Sequence, residues 1–538
     1  MHHLQHIAEL APLLESLEVC HVIISPGSRN APLIQLFTSH RAFICHSIVD
    51  ERVAGYVALG MSRQLNRPVA VVTTSGTAVM NLAPSVVEAY YQHIPLIVLT
   101  ADRPLETIPQ FDNQAIDQVA PFFNHSRGFF DFPPELRSKQ EMMQSLSAVE
   151  QLFRAALKSP RGPVHVNIPL MEPLYESLPD PLCTKMDYRI EPASSDDKPS
   201  LPGSLSGNSR VMVLAGMGVY DMEIRSILEK FSLSGEVVIV AENIANIQLD
   251  NFIANPELIL SSLSVEEKRK LAPDLVVAFG GQVVSKQLKL FIQSLKGVKT
   301  IVLDGDPLPS LKEMAGTLNQ GGADRINRYL QLWKEIESRS LNKAIKFLGR
   351  APFSNLTSAS SILTSVPEGA VVHLGNSTAI RYAQLMPVRK DLTYFANRGT
   401  SGIDGCVSTA VGAALVSDKL HVLLVGDLSF IYDSNSLWNR DFPNNLKVVI
   451  LNDGGGGIFR LLEGPDRMDF FEEFSVTHHP VSLELLVQSF GRSYRQVSSK
   501  KELTGTLVNL FEPETALSIL AVDTSHSENS RIFKEFFK

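Results

Sequence analysis

A chain of 538 residues is too long for one ordinary hydrophobic core and implies about three domains of ~100–200 residues each. Its 44% hydrophobic and 20% charged content excludes a largely disordered protein. A net charge of −8 without any Lys/Arg cluster excludes a nucleic-acid partner, since nothing would neutralise the phosphate backbone.

The opening MHHLQHIAEL lacks the basic-then-apolar order of a signal peptide and reads as a solvated helix start. No apolar run approaches the ~18 residues that would span a bilayer, so no membrane association is expected. Cys20, Cys45, Cys183 and Cys406 are scattered without CxxC spacing, which argues against a disulfide framework or zinc site and fits the cytoplasm.

VCHVIISPGS begins a series of continuous β-branched runs, followed by RPVAVVTTSGT, IPLIVLTADRP, SRVMVLAGMG, GEVVIVAEN, PDLVVAFGG, VKTIVLDGD, GAVVHLGNS, HVLLVGDLS and LKVVILNDGG. Such runs predict strands buried on both faces. Between them lie helix-length amphipathic segments such as VDERVAGYVALGMSRQL and VSLELLVQSFGRSY. The fold class is therefore α/β, with doubly wound parallel sheets. A Ser/Pro/Asp/Gly-rich linker at 190–210 and a weaker break near 340–357 divide the chain into domains 1–190, 200–345 and 350–538.

In open α/β sheets, ligands collect beyond the carboxyl ends of the strands. Four arginines stand in loops of that kind: Arg29 in SPGSRNAP, Arg103 in TADRP, Arg381 in GNSTAIRY and Arg398 in FANRGTSGIDG. Guanidinium suits bidentate carboxylate recognition, so their convergence would imply a substrate with several carboxylates. Glu51 opens a helix, where an acidic residue by itself is an ordinary macrodipole partner. TTSGTAVMNL supplies a glycine turn and a small-residue helix start that permits close approach.

Near the end of the chain, Gly426-Asp427 closes one strand and Asp453 in LNDGGGGIF closes the next. Neighbouring parallel strands would set these carboxylates side by side, where they and a loop carbonyl could hold one hard cation on a diphosphate. No GxxxxGK[ST] occurs, which excludes a P-loop. GNSTA lacks the second glycine of a nucleophile elbow, and AGMG makes no dinucleotide fingerprint, so neither a hydrolase nor a flavin is expected.

GDLSFIYDSNSLW through LNDGGGGIF resembles the metal–diphosphate signature of thiamine-diphosphate enzymes, and DERVAGYVALG with TTSGTAVMNL and TADRP resembles their pyrimidine-binding domain. Within that superfamily, ISPGSRNAPL, DNQAIDQ, GNSTAIR and NRGTSGIDG are similar to the menaquinone-pathway branch. The resemblance implies pyrimidine-binding, central and diphosphate-binding domains in a homodimer or homotetramer with active sites between subunits. It implies thiamine diphosphate with Mg2+ (or Mn2+), decarboxylation of 2-oxoglutarate, and addition of the succinyl unit to isochorismate. Glu51 matches the cofactor-activating glutamate; Gly76, Thr77, Asn81, Gly426, Ser429, Ile403 and Ile458 match cofactor contacts. Asp427, Asp453 and the Gly455 carbonyl match the metal ligands, with a one-residue register shift making Asn452 the ligand instead. The substrate set implied is Ser28, Arg29, Arg103, Asn113, Gln114, Lys286, Ser377, Arg381, Arg398 and Phe459. Gln287 follows Lys286 where the family leads one to expect arginine. Two other readings remain: a thiamine-diphosphate carboligase for smaller 2-oxo acids, and a catalytically silent cofactor-binding subunit.

Overall fold

The computed structural model describes residues 2–104, 114–182, 209–233, 237–318, 327–461, 464–512 and 515–538. Three sheets are present, every strand pairing parallel to its neighbours. The first contains β1 (His21–Ile24), β2 (Ile44–Ser47), β3 (Val69–Thr73), β4 (Leu96–Asp102), β5 (Phe129–Asp131) and β6 (Val164–Pro169), in the order β2-β1-β3-β4-β6-β5. The second contains β7 (Val211–Ala215), β8 (Val237–Ala241), β9 (Leu275–Phe279) and β10 (Lys299–Leu303), in the order β10-β9-β7-β8. The third contains β11 (Val371–Leu374), β12 (Thr393–Phe395), β13 (His421–Gly426), β14 (Leu446–Asn452), β15 (Tyr494–Val497) and β16 (Ile519–Asp523), in the order β12-β11-β13-β14-β16-β15.

The continuous apolar runs form strands with packed residues on both faces, except that β10 at the edge of the second sheet, read in the sequence as buried on both faces, exposes three of its five residues. Every residue of β3, β4 and β6 is buried, a pattern that an alternating sequence could not supply. In the first and third sheets the chain leaves the first strand to one side and returns past it to the third on the other, giving a switch point between β1 and β3 and between β11 and β13. The loops leaving those strand ends diverge in opposite directions and open a crevice, the usual ligand site of such sheets.

The chain divides into two compact units. One comprises 1–194 with the segments 399–418 and 433–443; the other comprises 195–398, 419–432 and 444–538. In the first unit, helix Glu51–Leu65 is capped by the Asp50 carboxylate, which accepts the Val53 N–H at 3.2 Å, and stopped by Asn66 in the left-handed conformation. It crosses helix Cys406–Leu415 at backbone contact. A Cβ on Gly60 would lie 2.0 Å from the Thr409 carbonyl oxygen, and one on Gly412 would lie 2.0 Å from that of Val57. Gly60→Ala must push the helices apart and is expected to cost ~1–3 kcal/mol or more, seen as a lower melting temperature.

VSLELLVQSFGRSY does not form a single helix. Its helix covers Leu483–Ser489, and β15 begins at Tyr494. Gly491 takes φ 70°, while the Gly491 and Arg492 amides bond back to the Gln488 and Val487 carbonyls. That glycine-centred C-cap ends the helix where apolar spacing alone would continue it. The linker expected at 190–210 lies, up to residue 208, outside the described residues.

Candidate active site

In the first unit the β1 and β3 loops meet at the switch point. A Cβ on Gly27 would fall 2.3 Å from the Thr74 Cβ, so SPGS and TTSG pack against each other. Ser28 is exposed, whereas Arg29 is buried, donating Nη1–H to the Leu170 carbonyl at 2.9 Å and standing 3.4 Å from Glu172 Oε1. Gly76 takes φ 84° and abuts the Gln114 carbonyl, which accepts the Ser75 hydroxyl at 2.9 Å. Thr77 and Asn81 are exposed on helix Thr77–Asn81, and Asn81 Nδ2 donates to Glu51 Oε2 at 3.3 Å. Glu51 at the start of its helix is thus joined through Asn81 to the short helix that Gly76 and Thr77 open. Asn113 lies outside the described residues.

Beneath this edge runs a buried polar network that sequence reading missed. The Gly76 amide donates to Gln118 Oε1 at 2.9 Å, and Gln118 Nε2 donates to Asn167 Oδ1 at 2.9 Å. Asn167 Nδ2 donates to Asp102 Oδ2 at 2.8 Å and to Asp131 Oδ1 at 2.9 Å; Asp102 Oδ1 in turn accepts the Arg103 amide at 2.7 Å. Burial raises Asp102 to about 6. The chain of bonds fixes the Gly76 turn relative to Arg103 across three strands. Only the last residue of DNQAIDQ hinted at it. Asn167→Asp would set a third carboxylate against Asp102 and Asp131 and leave donors mispaired, an expected loss of ~1–3 kcal/mol measurable by denaturant unfolding.

Ile403 belongs to the same unit and is 37% exposed. Its loop is pinned by buried Glu88, which accepts the amides of Gly399 and Thr400 at 2.8 and 2.6 Å, and by Asp404, which accepts the Tyr56 hydroxyl at 2.7 Å. An apolar side chain can stay exposed there because the backbone on either side is held.

In the second unit the switch point lies between β11 and β13. Register pairs Gly426 with Leu451, which sets Asp427 level with Asn452, the last residue of β14. Asp427 is 2% exposed, and its Oδ2 accepts the amides of Gly454 and Gly455 at 2.7 and 2.9 Å. His479 Nε2 stands 3.3 Å from the same oxygen, and this hydrogen bond raises the imidazole pKa. Sequence reading missed His479, which has no motif of its own. Ser429 is buried; Ile458 and Phe459 sit on the turn Gly457–Leu461, with Phe459 38% exposed.

A glycine run after a strand end suits close ligand approach, but much of this one serves the chain itself. Cβ atoms on Gly455 and Gly456 would meet the Val476 and Ser475 carbonyl oxygens at 2.8 and 2.9 Å, and one on Gly457 would meet Asp453 Oδ2 at 2.3 Å. The Gly455 carbonyl accepts the Gly457 amide at 2.9 Å. Above Gly426, in contrast, a Cβ would meet nothing within 4 Å. Asn452 donates Nδ2–H to Asp523 at 2.7 Å, and its buried Oδ1 has no hydrogen-bond partner among the described residues. Asp453 Oδ2 accepts Asn529 Nδ2 at 3.3 Å. An orphaned amide oxygen, two carboxylates and open space over a strand end suit a hard cation with a diphosphate.

Ser377, with φ 76°, caps helix Thr378–Ala383, which carries Arg381; Arg398 Nη1 donates to Asn376 Oδ1 at 3.2 Å. Arg381 and Lys286 line one cleft with Glu257, Ser285 and Gln384. Glu242 holds this corner by accepting the Val284 and Ser285 amides. Arg29 and Arg103 therefore stand at one sheet edge, and Arg381 and Arg398 at another.

Burial raises Glu242 to about 7 from an ordinary 4.5. Within that window the folded chain holds a proton the unfolded chain has released, so stability falls as pH rises through it. Glu242→Gln is expected to flatten this part of the melting-temperature profile while costing ~1–3 kcal/mol for the backbone amide left without its acceptor.

Family models described as the thiamine pyrophosphate enzyme N-terminal and C-terminal TPP binding domains match residues 7–120 and 374–520, each spanning one switch point. The 2-succinyl-5-enolpyruvyl-6-hydroxy-3-cyclohexene-1-carboxylate synthase of Desulfotalea psychrophila is 40% identical over 517 residues, covering 91% of this chain and 93% of that protein. This chain belongs to that synthase family. The 2-succinyl-5-enolpyruvyl-6-hydroxy-3-cyclohexene-1-carboxylate synthases of Flavobacterium johnsoniae and Cytophaga hutchinsonii are 34% and 33% identical, with 97% and 99% of this chain covered and the same shares of theirs. The synthase family assignment thus extends through the central sheet, which neither domain model reaches. Among the described residues, no helix is long and apolar enough to cross a membrane.

Proposed function

We propose that the chain uses thiamine diphosphate to decarboxylate 2-oxoglutarate and join the succinyl unit to isochorismate. The products are 2-succinyl-5-enolpyruvyl-6-hydroxy-3-cyclohexene-1-carboxylate and carbon dioxide, in menaquinone biosynthesis. The observation that carries this reading is near-full-length similarity to synthases of that name, with acidic groups at both switch points. When bound, the cofactor supplies an electron sink for the carbanion equivalent.

Glu51 holds and moves a proton at the aminopyrimidine; a carboxyl is suited to this beside the small-residue turn of Gly76, Thr77 and Asn81, where a ligand can approach. Ile403 and Ile458 press apolar surface on the cofactor, and Gly426, Ser429 and Asn452 contact its diphosphate side. Asp427, Asp453 (or, with a one-residue register shift, Asn452) and the Gly455 carbonyl would hold Mg2+ or Mn2+. Ser28, Arg29, Arg103, Asn113, Gln114, Lys286, Ser377, Arg381, Arg398 and Phe459 bind and orient the two anionic acids, supplying charge that the chain's net −8 does not provide in bulk. The working unit is a cytoplasmic homodimer or homotetramer with active sites between subunits. Its domains are a pyrimidine-binding domain at 1–190, a central domain at 200–345 and a diphosphate-binding domain at 350–538.

The test is to supply the folded protein with thiamine diphosphate, Mg2+, 2-oxoglutarate and isochorismate. The expected result is carbon dioxide release and the six-membered-ring adduct by mass. Turnover of pyruvate in place of 2-oxoglutarate would overturn the substrate reading. A cofactor-loaded protein that decarboxylates no 2-oxo acid would overturn the enzymatic one.

A further inference from the structure

The segment that follows the glycine loop is bent back onto it. Phe471–Val476 forms a π-helical turn, and Thr477 ends it with φ 54°, a left-handed conformation that costs a β-branched residue backbone strain. Pro480 comes after His479 and restricts that residue toward extended backbone. The bend lays the segment along the loop. The Gly456 amide donates to the Val476 carbonyl, and His478 donates Nδ1–H to the Gly454 carbonyl at 3.2 Å. His479, the next residue, reaches Asp427 itself, with Nε2 standing 3.3 Å from Oδ2.

A carboxylate accepts, so His479 is the donor in this contact. It is the one side-chain donor to Asp427 among the described residues. The other donors are backbone: the Gly454 and Gly455 amides on Oδ2, and the Leu428 amide on Oδ1 at 2.7 Å. Three donors therefore converge on Oδ2, while Oδ1, with one, keeps the larger spare acceptor capacity. The imidazole is committed to the same group. Its side chain is 12% exposed, and its other nitrogen, Nδ1, is buried with no hydrogen-bond partner among the described residues. A strained Thr477 and a buried ring with a single polar partner are both unfavourable for the fold alone, and strain of this kind gathers where a function constrains the chain.

We propose that His479 is a positioning residue that orients the Asp427 carboxylate for the metal through the hydrogen bond it donates. Partners of this kind hold a ligating carboxylate in one rotamer and one plane, and their loss typically costs ~10–100-fold in metal affinity. The inference rests on the proposed reading of Asp427 as a metal ligand and adds no ligand to it.

The test is fluorescence titration of thiamine diphosphate at graded Mg2+ into the full chain and two variants. His479→Phe keeps a flat ring and loses the donor; His479→Gln keeps a donor near the place of Nε2. The Mg2+ concentration for half-maximal cofactor binding is expected to rise ~10–100-fold in His479→Phe and to return most of the way to the parent value in His479→Gln. At saturating Mg2+ and cofactor, KM for 2-oxoglutarate should hardly move. A role confined to packing would instead lower the melting temperature of the unloaded protein and leave the Mg2+ midpoint in place. A midpoint within about twofold of the parent in a folded His479→Phe protein would therefore overturn the inference. Asp427→Ala separates this failure from that of the underlying reading. A shifted midpoint in Asp427→Ala with an unshifted one in His479→Phe sinks the positioning role alone, whereas an unshifted midpoint in Asp427→Ala sinks the metal assignment and the inference with it. If His479→Phe fails to fold, His479→Met takes its place in the same titration.

Discussion

Glu51→Gln is expected to lower kcat by ~10²–10⁴-fold, the range that a positioned proton-transfer group supplies, with little change in melting temperature. Glu51 is partly exposed and begins its helix, and its side chain accepts one 3.3 Å bond from Asn81. An amide of the same shape can keep that contact by presenting its carbonyl oxygen. The Asp50 cap that starts the helix does not involve Glu51, so the fold should survive. The measurement that isolates the role is hydrogen–deuterium exchange at C2 of the bound cofactor. Exchange at the parent rate, with the cofactor bound, would remove Glu51 from the proton-transfer role.

Asp427→Ala should have the other large effect, and it should appear in binding before chemistry. Removing the carboxylate strips the acceptor from the Gly454 and Gly455 amides together with the His479 contact. Leaving two loop amides unsatisfied costs ~2–6 kcal/mol in total, enough to loosen the glycine loop even without metal. Mg2+-dependent binding of thiamine diphosphate is expected to fall by more than ~100-fold, the effect of losing a charged metal ligand. Fluorescence titration of the cofactor at graded Mg2+ checks this. The same titration on Asn452→Ala and Asp453→Ala decides the register. The orphaned Oδ1 favours Asn452, whereas formal charge favours Asp453. Only loss of the true ligand should shift the Mg2+ dependence sharply.

Much of the fold was legible because the strands are buried on both faces. A run such as PLIVLT tolerates no polar alternation when helices cover each side, so sequence alone marked each of the ten runs as a strand. Six strands, β2, β5, β6, β12, β15 and β16, were not among those runs; YRQV of β15 carries two exposed positions at a sheet edge, whereas VHVNIP of β6 is buried but interrupted by His and Asn. The segment around Gly491 was misread because helical spacing of apolar residues continues past a stop that depends on backbone conformation. At the site, Asp427 and Asn452-Asp453 were found because they end consecutive strands. Gln118, Asn167 and Glu88 were not, since a buried polar residue in a strand or helix looks the same in sequence whether it braces a site or fills a core.

The sequence by itself determined the α/β class, the synthase family and the chemical kinds of group available: a helix-opening glutamate, strand-end carboxylates and loop arginines. These are local facts, set by residue type, by periodicity and by position relative to a strand end. Tertiary structure decided which of those groups share an edge, which glycines are needed by the chain's own 475–477 segment, and which buried polar groups find partners. Asn167 shows the difference. Nothing in VHVNIP marks its amide, because its partners Gln118, Asp102 and Asp131 lie 49, 65 and 36 residues away in sequence, and only folding brings them onto one side chain.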